Sequence, residues 1–181
     1  MKHNIYLVGF MGTGKTTVSH ALAKSLGFGE IDTDAQIVSQ QGRSIKEIFA
    51  SEGEGYFRTL ETELLRQMQG QEKKVVSCGG GMVLQRENIS LMKENGLVVL
   101  LTAEPETIFA RVCQNSGRPL LDGKMDVAHI RELLGQRRPY YEEAGELVVR
   151  TDGRSPEEIS EEIKKIGFFE KTFCFFEKSM I

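Results

Sequence analysis

The 181-residue chain is 40% hydrophobic and 27% charged, with a net charge of −3, which is the composition of one ordinary globular domain. The weak negative charge argues against a basic nucleic-acid-binding face, and the longest apolar stretch, residues 97–103, is too short to cross a bilayer. Three widely spaced cysteines and no visible targeting signal predict a cytoplasmic protein. From the charge and the apolar lengths, we expect neither a nucleic acid nor a membrane as a partner.

Short apolar runs alternate with longer amphipathic runs along the chain. In chain order, the predicted elements are a strand at 4–10, a helix at 16–27, a strand at 29–34 that leads into a helix, two helices at 44–53 and 54–68 separated at Gly53, a strand at 73–78, a helix at 87–96, a strand at 97–103, a helix at 105–114, a helix from 127 that ends at Pro139, a strand at 146–151 and a helix at 155–167.

Strands that alternate with helices in this way predict an α/β fold, with a five-stranded parallel sheet between two helical layers. We expect one domain over residues 1–167 and an aromatic C-terminal extension at 168–181. The segment at 115–126 fits neither a strand nor a helix and carries charges, two glycines and a proline. It is therefore predicted to form a mobile lid.

The stretch "GFMGTGKT" at residues 9–16 matches the phosphate-binding P-loop pattern and lies between a predicted strand and a predicted helix. Its glycines allow backbone N–H groups to surround phosphate oxygens, Lys15 is expected to reach the β- and γ-phosphates of a nucleotide, and Thr16 is expected to bind Mg²⁺. The candidate nucleotide-binding residues here are Gly12, Thr13, Gly14, Lys15, Thr16 and Thr17. GTPases, ATPase motors and small-molecule kinases share this loop, but the guanine-reading pattern N-K-x-D is absent from the sequence.

Two aspartates, Asp32 and Asp34, lie two residues apart at the end of the second predicted strand. A spacing of two would place both on one side of that strand, at the end that faces the ligand crevice of a parallel sheet. One carboxylate could support Mg²⁺ and the other could accept a proton from an attacking hydroxyl. The structural alternative is a solvated pair that caps the next helix.

An ordered set of motifs connects the P-loop with the rest of the chain: "DTD" at 32–34, "GEGYFRTLE" at 53–61, "CGGG" at 78–81, "GRPLL" at 117–121 and "RRPYYEEA" at 137–144. Together these motifs resemble the shikimate kinases, which belong to the nucleoside-monophosphate-kinase-like P-loop group. The resemblance spans about residues 1–166. It implies ATP-dependent phosphorylation of the 3-hydroxyl of shikimate, a step towards aromatic amino acids, with Mg²⁺ as the cofactor.

The resemblance also implies roles for individual residues. Lys15, Asp34 and Arg118 would be catalytic, with Asp34 holding the acceptor hydroxyl and Arg118 reaching the phosphates from the lid. Thr16 and Asp32 would support the metal. The residues implied to contact shikimate are Asp34, Arg58, Gly79, Gly80, Gly81 and Arg137. The residues implied near adenine are Arg111, Arg154 and Pro156.

Chemistry supports two parts of this set. Guanidinium groups such as Arg58 and Arg137 suit a carboxylate, and Glu61 lies three residues after Arg58, close enough to hold it. A surface ion pair is the alternative for Arg58 and Glu61. Three consecutive glycines would remove every side chain between backbone and ligand, and they allow φ above zero, so that N–H groups can point into the crevice. A tight turn is the alternative for the glycines.

The extension consists of two similar seven-residue units, "FFEKTFC" and "FFEKSMI". Its phenylalanines predict that the extension packs against the surface of its own chain, and the alternative is that it forms a dimer contact. We thus expect a monomer.

Two other functions remain open at this stage: another small-molecule kinase, acting on gluconate or a nucleotide, and a nucleotide-binding regulatory module without activity.

Overall fold

The computed structural model describes residues 4–114 and 126–166. The strands are β1 (Asn4–Val8), β2 (Gly29–Asp32), β3 (Lys74–Ser77), β4 (Gly96–Thr102) and β5 (Leu147–Arg150). The helices are α1 (Lys15–Leu26), α2 (Thr33–Gln41), α3 (Ile45–Gln67), α4 (Arg86–Asn95), α5 (Pro105–Gln114), α6 (Val127–Ala144) and, over residues 156–166, α7. A short 3₁₀ turn (Met82–Leu84) precedes α4.

The five strands form one sheet in the order β2-β3-β1-β4-β5, and every adjacent pair is parallel. The predicted fold is therefore confirmed. The chain builds the sheet on one side of β1 and then crosses to the other side. In parallel sheets of this kind, ligands bind beyond the carboxyl ends of the strands where the order reverses.

The sheet separates two apolar layers. Alternate residues of β1 point to opposite faces: Tyr6 and Val8 join a core with α3, α4 and α6, whereas Leu7 joins a second core with α1 and α7. All three side chains are fully or almost fully buried. This packing fixes β1, and with it the start of the P-loop, between two layers of helices.

Two predicted features of the helices had different outcomes. The break at Gly53 is confirmed, because α3 has non-helical backbone angles there (φ 82°, ψ 173°). The predicted end of α6 at Pro139 is wrong, since the helix continues to Ala144. Tyr141 and Ala144 are buried beyond the proline, and we attribute the continuation to this burial, which offsets the lost backbone hydrogen bond.

The candidate lid at 115–126, including Arg118, lies outside the described residues apart from Asp126, which caps the first turn of α6. The aromatic extension at 168–181 also lies outside them. Within the described ranges, none of the helices is long and apolar enough to span a membrane.

Candidate active site

A cavity of about 770 Å³ opens at the carboxyl end of the sheet. It is bounded by the P-loop, by the residues that follow β2 and β3, and by parts of α5 and α7. The predicted site residues that line it are Gly12, Thr13, Gly14, Lys15, Thr16, Thr17, Asp32, Asp34, Gly79, Gly80, Arg111, Arg154 and Pro156. Segments that are far apart in sequence therefore line the same cavity.

The P-loop has the backbone of an anion-binding loop. Gly12 and Gly14 adopt the left-handed region, with φ of 78° and 93°, which glycine tolerates far better than other residues. Gly14 precedes α1, whose first turn carries no acidic residue and whose N-cap makes no side-chain hydrogen bond. The positive end of the helix dipole thus points towards the cavity. Lys15 Nζ donates to the carbonyl oxygens of Gly9 and Phe10, at 2.8 and 2.9 Å.

Three side-chain oxygens meet at the base of the P-loop. Thr16 Oγ1 lies 3.3 Å from Asp32 Oδ2 and 3.3 Å from Ser77 Oγ. Hydroxyl and carboxylate oxygens suit Mg²⁺, which in kinases uses one or two protein oxygens together with substrate phosphates. No cluster of three or more His, Cys, Asp or Glu side chains that could hold a metal occurs in residues 4–114 and 126–166. The oxygens of Thr16 and Asp32 are of the kind that would suit Mg²⁺ bound together with phosphates.

The two aspartates occupy different elements. Asp32 is the last residue of β2 and caps α2, with its Oδ1 accepting from the Ala35 N–H at 3.1 Å. Asp34 lies in the first turn of α2, so the predicted strand alternation, which placed both on one strand, is wrong. Both still line the cavity. Asp32 therefore caps α2, as the structural alternative predicted, and it also lies beside Thr16.

Two of the three glycines after β3, Gly79 and Gly81, are closely packed against other side chains. A Cβ on Gly79 would lie 2.6 Å from Asp34 Oδ1 and 3.1 Å from Glu61 Oε1, and one on Gly81 would overlap Nη1 and Nη2 of Arg58. Gly80 has more room, with no heavy atom closer than 3.7 Å to its Cβ position. None of the three is among the glycines with positive φ, so the left-handed backbone that glycine allows is not used here.

Arg58 is held by two carboxylates of its own helix. Its Nη1 donates to Glu61 Oε2 at 2.7 Å, its Nη2 donates to Glu54 Oε1 at 2.6 Å, and its Nε donates to the same oxygen at 3.2 Å. The predicted proximity of Arg58 and Glu61 is confirmed. Both side chains are largely buried, with 14% and 1% of their surface exposed. The alternative, a solvent-exposed ion pair between Arg58 and Glu61, is therefore wrong.

Glu61 has an unusual environment for a carboxylate. Burial raises its pKa to about 7, and the ion pair with Arg58 opposes that rise. Among the described residues, its Oε1 is buried without a hydrogen-bond partner, and this atom faces Gly79. A proton or a ligand donor at Oε1 would relieve the cost of burying this oxygen.

Arg137 and Tyr141 approach the glycines from α6. The Tyr141 hydroxyl donates to the Gly80 carbonyl oxygen at 2.6 Å. Burial raises the pKa of Tyr141 to about 12, and the nearby charges of Arg137 and Arg58 oppose that rise. Arg137 Cζ lies 5.8 Å from the centre of the Phe10 ring, whereas Arg138 is exposed and pairs with Glu142 at 2.6 Å. Of the two adjacent arginines, Arg137 therefore lies beside Tyr141 and Phe10, although it does not line the cavity itself.

The opposite side of the cavity is formed by Arg111, Thr151 and the start of α7. Arg111 donates to the carbonyl oxygens of Gly12 and Thr151, at 3.2 and 2.9 Å, and so links α5 to the P-loop and to the end of β5. Arg154 is held by Glu162 at 2.5 Å. Pro156 lines the same cavity as these arginines. The residues implied near adenine are therefore assembled beside the P-loop.

Three contacts were missed by the sequence interpretation: Glu54 on Arg58, Tyr141 on Gly80, and Ser77 beside Thr16. Glu54 lies four residues before Arg58, a spacing that brings side chains together on a helix, and this signal was available. The other two contacts join segments 61 residues apart, and no local pattern indicates them.

Comparison with known proteins adds independent evidence. The family model described as "Shikimate kinase" matches residues 11–166. A shikimate kinase of Thermodesulfovibrio yellowstonii is 42% identical over 162 residues, which cover 90% of this chain and 93% of that protein. A shikimate kinase of Persephonella marina is 44% identical over 160 residues, which cover 88% of this chain and 96% of that protein.

The fold comparison agrees with the sequence comparison. The structure of a shikimate kinase from Acinetobacter baumannii in complex with shikimate superposes with a TM-score of 0.87 and 36% identity, and the match covers 93% of this chain and 94% of that one. Sequence, family model and fold thus agree over nearly all of the described residues. The chain belongs to the shikimate kinase family.

Proposed function

We propose that this protein transfers the γ-phosphoryl group of ATP to the 3-hydroxyl of shikimate, giving shikimate 3-phosphate and ADP. The observation that carries the proposal is the meeting of two subsites at Asp34. On one side lies the P-loop with Lys15, and on the other lies the Gly79 backbone, which separates Asp34 from Glu61 and its partner Arg58.

The nucleotide is proposed to bind with its phosphates at the P-loop and the start of α1, where backbone N–H groups and the helix dipole favour anions. Lys15 would neutralise the β- and γ-phosphates. Arg111, Arg154 and Pro156 would border the adenine side of the cavity. Arg118, outside the described residues, is proposed to reach the phosphates as well.

Thr16 and Asp32 are the residues that would hold Mg²⁺. When bound with the nucleotide, Mg²⁺ would supply positive charge against the charge that develops on the phosphates. Asp32 is already fixed by its hydrogen bond from the Ala35 N–H. The protein side of the metal site would therefore be in place before the nucleotide binds.

Shikimate is proposed to bind against Gly79, Gly80 and Gly81, with its carboxylate on Arg58 and Arg137. A polyol offers many hydroxyls and little apolar surface, so close approach to the backbone and charged hydrogen bonds would supply most of the binding energy. The 3-hydroxyl oxygen would attack the γ-phosphorus, and the bond from that phosphorus to the ADP oxygen would break. Asp34 would receive the hydroxyl proton.

The test is ADP release with a panel of acceptors: shikimate, gluconate, AMP and none. We expect a large rate with shikimate and background rates with the others. Equal rates with shikimate and gluconate would favour a kinase of broader specificity, and no acceptor-dependent release at all would favour a regulatory module. We further propose that the protein acts as a monomer in the cytoplasm on small molecules alone, which sedimentation and localisation measurements can check.

A further inference from the structure

The carboxylate-binding arginine of the proposed acceptor site already carries an internal carboxylate. Oε1 of Glu54 accepts from both Nη2 and Nε of Arg58, at 2.6 and 3.2 Å. These two groups form one edge of the guanidinium, which is a common docking edge for a carboxylate. The other end of the guanidinium, Nη1 and Nη2, abuts Gly81, since a Cβ on that glycine would overlap both atoms.

The two carboxylates on Arg58 differ in their freedom to leave. Glu61 is 1% exposed, whereas Glu54 is 60% exposed. Glu54 also follows directly after Gly53, where α3 is broken, and so begins the second helical half. A carboxylate in that position interacts favourably with the helix N-terminus and with water. Glu54 can therefore release Arg58 at small cost, and Glu61 cannot.

The charge balance indicates which group must move when an anionic acceptor binds. Glu54 and Glu61 oppose the single charge of Arg58, and Arg137 adds one more positive charge from α6. An acceptor carboxylate would be a third carboxyl group beside these two guanidinium groups. Departure of one internal carboxylate to solvent restores the balance, and only Glu54 is exposed enough to depart.

We propose that Glu54 is a specificity-determining residue that occupies Arg58 in the ligand-free enzyme and is displaced by the carboxylate of the acceptor. The inference rests on the proposed function. Displacement lowers the affinity for the acceptor, because the carboxylate must compete for Arg58 before it binds. It also disfavours polyols that lack a carboxylate, since they offer Arg58 nothing in exchange for Glu54. Glu54 acts through Arg58 and takes no part in phosphoryl transfer.

The test is the variant Glu54→Gln, which keeps the size of the side chain and removes its charge. We expect the KM for shikimate, and its Kd by calorimetry without ATP, to fall by about two- to fivefold, the size expected for loss of one exposed ion pair. The kcat and the KM for ATP should stay within about twofold. Glu54→Ala should act in the same direction. Glu52→Gln is the matched control, because Glu52 pairs with Arg43 at 2.6 Å on the same stretch of α3.

A double-mutant cycle separates displacement from a general structural effect. In an Arg58→Ala background, Glu54→Gln should no longer change the Kd for shikimate. An increase in the KM for shikimate in Glu54→Gln would overturn the inference, because it would mean that Glu54 orients Arg58 for the acceptor. An unchanged KM would overturn it as well. A wild-type protein without shikimate-dependent ADP release would instead overturn the proposed function, and this inference with it.

Discussion

The substitution Gly79→Ala tests whether close packing explains the glycine run. A Cβ at this position would lie 2.6 Å from Asp34 Oδ1, about 0.8 Å inside the 3.4 Å at which ordinary contacts begin. The Asp34 carboxylate must therefore move by nearly one ångström, or the backbone of Gly79 must. The N–H of Gly79 donates to Thr33 Oγ1 at 2.8 Å, which restrains the backbone, so we expect Asp34 to move.

If Asp34 has the proposed catalytic role, a shift of that size is expected to reduce kcat by about 10²-fold. The assay is coupled ADP release at saturating ATP and shikimate, with thermal unfolding measured in parallel. Gly55→Ala is the matched control, since this glycine lies in α3 with no atom within 4 Å of its Cβ position. The control should keep full activity and gain a little stability.

Gly80→Ala supplies a second comparison. Its Cβ has no neighbour closer than 3.7 Å, so the variant should fold like the wild type, and its effect should appear in the KM for shikimate. A Gly79→Ala protein with near-normal kcat would refute the reasoning, because it would mean that the position of Asp34 does not limit catalysis. Equal losses of stability in Gly79→Ala and Gly80→Ala would refute the packing argument.

Four further predictions follow from the site. Asp34→Asn should lower kcat by about 10²-fold while ATP still binds in a calorimeter, since loss of a general base typically costs that much. Arg58→Ala and Arg137→Ala should each raise the KM for shikimate about ten- to a hundredfold, the cost of a charged hydrogen bond, and leave the KM for ATP nearly unchanged. The raised pKa of Glu61, about 7 against an ordinary value of 4.5, means that the folded state binds more protons than the unfolded state in this range, so the free energy of unfolding should fall as pH rises from 4.5 to about 8. Denaturant titrations of Glu61→Gln should lack that part of the pH dependence, and a slope equal to that of the wild type would count against it. Truncation after Gly167 should keep kcat within a few-fold in a steady-state assay, and an inactive but folded product would place the extension in the active site.

The features that the sequence predicted are those that depend on local patterns. The P-loop could be located because glycine spacing, a preceding apolar run and a following helix are local signals. The pairing of Arg58 with Glu61 could be predicted for the same reason, since a spacing of three on a helix brings side chains together. The break in α3 could be predicted from one glycine, Gly53.

The features that the sequence did not predict depend on contacts between distant segments. Gly79 and Gly81 pack closely against the side chains of Asp34 and Arg58, which come from other elements. The continuation of α6 beyond Pro139 accompanies burial of Tyr141, which also binds the Gly80 carbonyl. Both features depend on contacts with distant segments, and in α6 the burial outweighs the local effect of the proline.

The most direct test of the central claim is ³¹P NMR of a reaction that contains the protein, ATP, Mg²⁺ and shikimate. The account predicts that the γ-phosphorus signal of ATP disappears and that a phosphomonoester coupled to the C3 proton of shikimate appears in equal amount with ADP. Omission of shikimate should leave ATP intact. Inorganic phosphate in place of the phosphomonoester, or a phosphomonoester on another hydroxyl, would contradict the proposed placement of the acceptor beside Asp34.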